Sequence, residues 1–130
     1  MQNIQTEVVE VDDNAIGITI NQTYNDRMSS EELYEYTRGI WVIGERRYAA
    51  EIALALYHGI VKEVYEIKTW HPAGTTEYQH RKFDPVVLKK RFEFVGKVAI
   101  DLREKYVGKR IKYLGEIFKS TQNPIRYFNC

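Results

Sequence analysis

The stretch Ile52–Trp70 restricts the fold more than any other part of the chain. Ile52–Tyr57 (IALALY) and Ile60–Trp70 (IVKEVYEIKTW) are separated only by His58-Gly59. The second run is rich in β-branched and aromatic residues, which suit a pleated, half-buried surface. Two such runs joined by a two-residue turn containing glycine read as an antiparallel hairpin. A second pattern overlaps the first half. Ala49, Ile52, Ala53, Leu56 and Tyr57 lie at helical spacing, whereas Ile52, Leu54 and Leu56 alternate as a strand does. The hairpin accounts for both halves, so the reading is a helical turn over Glu45–Ala50 and then strands over Ile52–Tyr57 and Ile60–Trp70.

The flanking segments add further elements. Thr6–Val11 and Ala15–Ile20 read as strands on either side of Asp12-Asp13-Asn14. Ser29 and Glu32 fit a capping box, in which the hydroxyl accepts from an exposed helix N–H and the carboxylate bonds back. That spacing predicts a short helix over Ser30–Tyr36. A short strand is expected over Ile40–Ile43, between Gly39 and Gly44. His71–Pro85 reads as a long loop, and long loops in compact domains are often binding elements. Arg91–Val95 reads as a strand. Lys97–Val107 reads as a helix with Val98, Leu102 and Tyr106 on one face, Asp101 set to pair with Lys105, and Gly108 at its end. Arg110–Leu114 and Pro124–Phe128 complete the strands. The expected architecture is a single α+β domain spanning 1–130. It is built on a small mixed or barrel-like β-sheet of about seven strands and flanked by two or three short helices.

Composition removes several classes. The longest apolar run, Ile52–Tyr57, has six residues, against the roughly 20 a membrane helix needs. No membrane association is expected. The first residues, MQNIQTEVVEVDD, show neither a basic n-region nor an apolar h-region, so no secretory leader is expected. The single cysteine, Cys130, leaves no disulfide framework and no thiolate metal cluster. Together these features point to the cytoplasm.

Charge is distributed unevenly. Residues 1–35 hold eight acids and one base, a net of −7, and residues 36–130 hold eighteen bases and ten acids, a net of +8. The total of +1 therefore conceals two opposed fields. One reading is a basic binding face; the other is mutual neutralisation across the fold. Aromatics reach 13%, with ten Tyr, five Phe and two Trp. Tyr and Trp suit base stacking, and they also suit strands.

Signatures of phosphate loops, dinucleotide-binding turns and nucleophile elbows are missing. His58, His71 and His80 lack metal-ligand spacing. Neither a metal nor a cofactor is expected. One enzyme-like pattern is Glu66-Ile67-Lys68 on the long strand, with Glu51 upstream. Two carboxylates and a lysine of this kind serve Mg²⁺-dependent nucleases; the competing reading is an exposed ladder of alternating charge. A second constellation is Arg38-Gly39-Ile40-Trp41 with Arg46-Arg47, and Trp70 as a second indole. Arginine pairs with phosphate and tryptophan stacks on bases. The competing reading has Trp41 anchoring the core and the arginines solvating a helix end. A third is the basic run Lys105, Lys109, Arg110, Lys112, Lys119 and Arg126, interleaved with Tyr106, Tyr113 and Tyr127. It reads as a phosphate-tracking stripe or as an ordinary solvated face.

A strand ending in Tyr57-His58-Gly59, then Ile60-Val61, Val64-Tyr65-Glu66-Ile67, and then Trp70-His71-Pro72, resembles the central hairpin of the PUA-like superfamily. Its EVE branch is nearest, and ASCH and YTH domains are cousins. The resemblance covers Arg38–Pro72. It implies a small barrel flanked by helices and a function in binding RNA or DNA, often with one base, frequently modified, held in an aromatic pocket. On that basis Arg38, Trp41, Arg46, Arg47, Trp70, Lys109 and Arg110 are the expected contacts. Trp41 and Trp70 would hold the base, the arginines would meet phosphates, and the lysines would add sequence-independent affinity. The alternatives are the Mg²⁺-dependent nuclease of Glu51, Glu66 and Lys68, and a protein-interaction or regulatory domain using exposed aromatics. The choice between DNA and RNA, the base read, any catalysis and the oligomeric state stay open at this level.

Overall fold

The computed structural model describes residues 6–119 and 122–130. The elements in chain order are β1 (Val8–Glu10), β2 (Ala15–Thr19), α1 (Ser30–Arg38), a 3-10 turn (Glu45–Ala49), β3 (Ile52–Tyr57), β4 (Ile60–Pro72), α2 (Pro85–Leu88), β5 (Phe92–Val98), α3 (Ile100–Tyr106), β6 (Arg110–Tyr113), β7 (Glu116–Ile117) and β8 (Ile125–Phe128). The eight strands form one mixed sheet in the order β1-β6-β4-β3-β2-β8. β5 pairs with the outer half of β4, and β7 pairs with β6. β1–β6 and β2–β3 are parallel and the other pairs antiparallel. The α+β class is therefore as expected, but the sheet is not closed into a barrel. No helix among the described residues is long and apolar enough to cross a membrane.

The hairpin organises the sheet. His58 and Gly59 both take positive φ, 49° and 80°, the mirror-image turn whose twist matches that of its flanking strands. Asn21 Oδ1 accepts from the His58 amide at 2.8 Å, and Arg110 donates to the His58 carbonyl at 3.3 Å. β3 is buried on both faces, which is why it reads as an unbroken apolar run. Ile52, Leu54 and Leu56 join Val61, Val64, Tyr106, Ile111 and Phe128 on one side, with Leu102 of α3 packed against them. Ala53 and Ala55 join Ile16, Ile18, Tyr65 and Phe94 on the other, with Leu33 and Tyr34 of α1 packed there. Full burial of each such large side chain contributes about 1.5–3 kcal/mol.

Several boundaries differ from expectation for local reasons. The capping box is present, with Glu32 N to Ser29 Oγ at 3.1 Å and Ser29 N to Glu32 Oε1 at 3.3 Å, and α1 runs on to Arg38. The strand expected over Ile40–Ile43 reduces to one bridge, Trp41 to Phe92. β5 reaches Val98 and displaces the start of α3 to Ile100. Gly96 permits this: a Cβ there would lie 2.1 Å from the Glu66 carbonyl oxygen on β4.

Candidate nucleic-acid interface

Trp41 follows α1 and is fixed by its own backbone. It exchanges hydrogen bonds with Phe92, at 3.0 and 2.9 Å. Its indole Nε1 donates to the Thr37 carbonyl at 2.8 Å. One part of the ring packs on the Ile16, Ile18 and Ile20 cluster. The remainder walls a depression of about 370 Å³ lined by Thr19, Ile20, Asn21, Gln22, Thr23, Gln122 and Pro124. The lining is an aromatic face set among amides and hydroxyls. Such groups can accept and donate to the edge of a flat heterocycle while the indole stacks on its face.

The segment 122–127 forms the far wall and turns its other side to a second depression. That depression, about 550 Å³, is lined by Val42, Ile43, Gly44, Arg46, Tyr113, Asn123, Ile125, Arg126 and Tyr127. It shares Tyr113 and Arg126 with a third, about 620 Å³, reached by Glu116, Ile117, Phe118 and Lys119. Arg46 lies over the Tyr127 ring, 4.5 Å from its centre, and donates to the Cys130 carbonyl. Burial pushes the Tyr127 phenol up, against the pull of Arg46 and Arg47, so the ring stays neutral. Lys112, Lys119 and Arg126 make no ion pair among the described residues. Trp41 and Arg46 thus flank one edge of the sheet, with basic and aromatic side chains between and beyond them.

The other expected contacts lie elsewhere. Trp70 borders a separate depression with Tyr48, Ala50, Ile67, Lys68 and Thr69. Its ring meets Phe94 edge-on at 5.4 Å, and its Nε1 is buried with no hydrogen-bond partner among the described residues. It therefore does not face Trp41 across one pocket. Arg47 is buried and donates to the Gly44 carbonyl at 2.9 Å and the Tyr48 hydroxyl at 3.0 Å, stacked 3.8 Å from the Phe92 ring centre. Arg110 supports the hairpin turn. Lys109 donates to the Glu104 carbonyl at 2.8 Å and pairs with Glu7 at 3.6 Å. Glu51, Glu66 and Lys68 are exposed. Glu66 lies opposite Ile52 and Glu51 directly precedes Ile52, so the pleat sends the two carboxylates to opposite faces. Among the described residues no three His, Cys, Asp or Glu side chains gather to hold a metal ion.

Arg38, expected at a rim, is 3% exposed. It belongs to a buried polar network that fastens the 73–84 loop to α1 and β5. Glu93, fully buried, accepts from the Gly74 amide at 2.7 Å, the Thr76 amide at 2.9 Å, the Thr76 hydroxyl and the Tyr78 hydroxyl at 3.2 Å. Arg38 supplies the countercharge at 3.9 Å, donates to Thr76 Oγ1 and to the Glu77 and Phe94 carbonyls, and stacks 3.8 Å from the Tyr78 ring centre. Burial raises the Tyr78 phenol, and the Arg38 charge opposes this. Glu35 accepts from the Gln79 and His80 amides, both at 2.8 Å, and Arg81 donates to the Glu35 and Gly39 carbonyls. Buried charges persist only when paired and hydrogen-bonded in this way. Glu35, Glu93 and Arg81 escape sequence reading because their partners, mostly main-chain groups, lie far away along the chain.

The two charge fields meet in part. β1 lies beside β6, which brings the acidic N-terminal segment against the basic C-terminal one. Lys105 donates to Asp12 and to Asp13, the latter at 2.9 Å, and Tyr106 donates to Asp13 at 2.5 Å. Burial acts to raise the Asp13 carboxyl, but the hydrogen bonds from Lys105 and Tyr106 outweigh it and hold the group low. Neutralisation thus consumes Lys105 and Lys109, while the Arg46, Lys119 and Arg126 edge keeps its charge. No family model, curated protein or solved structure matches this chain.

Proposed function

We propose that this chain is a nucleic-acid-binding module in which the Trp41 pocket receives one unstacked base and the adjoining Arg46–Arg126 groove follows the backbone. The observation that carries the reading is the joint wall. Residues 122–127 present Gln122 and Pro124 to the Trp41 pocket, and Arg126 and Tyr127 to the basic groove. A strand lying across that wall would place a base against the indole and its phosphates beside Arg46 and Arg126. Stacking of one base on an aromatic ring contributes about 1–3 kcal/mol, and each neutralised phosphate adds salt dependence. The PUA-like resemblance of Arg38–Pro72 agrees with this reading and extends it to a modified base.

Fluorescence anisotropy with labelled single-stranded DNA and RNA, with and without methylated bases, tests the proposal. The expected result is binding that weakens steeply with salt, and a loss of roughly tenfold or more in Trp41→Ala. Arg46→Gln should lower the salt slope by about 0.7 for a single strand. Binding that is absent for every probe, or indifferent to salt, would overturn it.

A further inference from the structure

A second strongly basic stretch of the chain lies outside the site described above. Residues 81–91, RKFDPVVLKKR, carry five bases and one acid. Arg81 faces inward, 4.6 Å from the ring centres of both Tyr36 and Phe83. Asp84 caps α2, accepting from the Val86 amide at 3.0 Å. Leu88 is the anchor of α2: a Cβ on Gly74 would lie 2.5 Å from Leu88 Cδ1. Arg91 is half-buried and donates to the Ile40 carbonyl at 3.5 Å, and the others point outward. Val86 is 70% and Val87 47% exposed. Lys82, Lys89 and Lys90 are exposed, and their side chains make no ion pair or hydrogen bond among the described residues. Lys90 has a φ of 59°, a conformation that bulky side chains rarely adopt.

Two exposed apolar side chains, flanked in sequence by three unpartnered lysines, make a surface complementary to a polyanion with an apolar interior. Arg38, Glu93, Glu35 and Arg81 fasten the preceding loop over residues 74–81, and Leu88 lies against Gly74. In the chain the 82–90 stretch is followed closely by Phe92, whose main chain pairs with that of Trp41.

We infer that the 82–90 tip is a second nucleic-acid contact that docks in a groove of double-stranded nucleic acid, with lysines on phosphates and valines against the groove floor. The inference rests on the nucleic-acid reading of the Trp41 edge. Exposed valines among exposed lysines suit a groove walled by phosphates, whereas the Trp41 pocket suits a single unstacked base. Apolar wedges flanked by cations are a recurrent means of entering a duplex groove.

The test compares wild type, Lys89→Gln/Lys90→Gln and Val86→Ser/Val87→Ser on duplex DNA, duplex RNA and the matching single strands. The substituted side chains are exposed, and circular dichroism verifies the fold of each variant. Losing two phosphate contacts should lower the duplex salt slope by about 1.8, so that the affinity lost between about 50 and 200 mM salt shrinks roughly tenfold. The serine variant should weaken duplex binding several-fold and leave single-strand binding unchanged. If wild type binds a duplex and the lysine variant keeps its slope, this inference falls and the Trp41 reading stands. If wild type binds no nucleic acid at all, both fall. Lysine-dependent binding to phosphatidylserine vesicles with unaltered duplex binding would also overturn it, assigning the tip to a membrane surface.

Discussion

Glu93→Ala probes the network that fastens the loop to α1 and β5. The substitution removes the acceptor for two amides and two hydroxyls and leaves the buried Arg38 guanidinium without its carboxylate. Deleting one partner of a buried pair costs about 3–5 kcal/mol. That is a large fraction of the roughly 5–15 kcal/mol typical of a domain. With a urea m-value of about 2 kcal/mol/M, a loss of about 4 kcal/mol moves the unfolding midpoint down by roughly 2 M. Arg38→Ala should cost a similar amount, since it strands Glu93. The double variant should cost less than the sum by about 1–3 kcal/mol, because the second deletion no longer leaves a lone charge. Urea unfolding followed by circular dichroism supplies all four corners of the cycle. A Glu93→Ala midpoint close to wild type, or strictly additive losses, would refute the claim that this pair holds the loop.

Three further outcomes follow from the packing and the buried hydroxyls. Gly96→Ala should destabilise by roughly 2 kcal/mol or more, because its Cβ would meet the Glu66 carbonyl at 2.1 Å and overpacking costs about 1–3 kcal/mol; an unchanged melting temperature would contradict the β4–β5 approach. Trp70→Phe should leave stability nearly unchanged. The lost ring area is offset by removal of a buried unpartnered N–H, itself a cost of about 1–3 kcal/mol, so a large loss would mean that the indole has a partner. Burial, reinforced by its hydrogen bond to Asp13, pushes the Tyr106 phenol up to about 12. A raised folded-state pKa contributes stability that is complete below the ordinary tyrosine value near 10 and is lost as pH rises toward 12. Unfolding curves over that window should show stability falling, and Tyr106→Phe should flatten the fall.

The hairpin and α1 were legible because their signals are local: a His-Gly turn between two β-rich runs, and a serine three residues before a glutamate. Trp41 and Arg46 reach the same edge because they lie close in sequence on one short connection. Arg38 misled for the opposite reason. A guanidinium followed by glycine looks like a rim group, and its burial depends on Glu93 and Tyr78, which tertiary structure alone brings to it. Trp70 failed to join Trp41 because β4 carries it to a separate depression. The open sheet and the extra strand β7 were likewise unreadable, since a two-residue strand leaves no periodicity to detect. The bases of residues 81–91 drew no notice in the sequence, since nothing local separates them from an ordinary solvated loop; the exposure of Val86 and Val87 is what sets them apart.

The most direct test of the central claim is an NMR titration of the full chain with a short single-stranded oligonucleotide, following the two indole N–H signals and the side-chain amides. The Trp41 indole and the Gln22 and Gln122 amides should shift together and saturate at one stoichiometry, while the Trp70 indole stays in place. Movement of Trp70 with Trp41 unmoved, or no movement of any of these signals at saturating oligonucleotide, would contradict a base-reading pocket at Trp41.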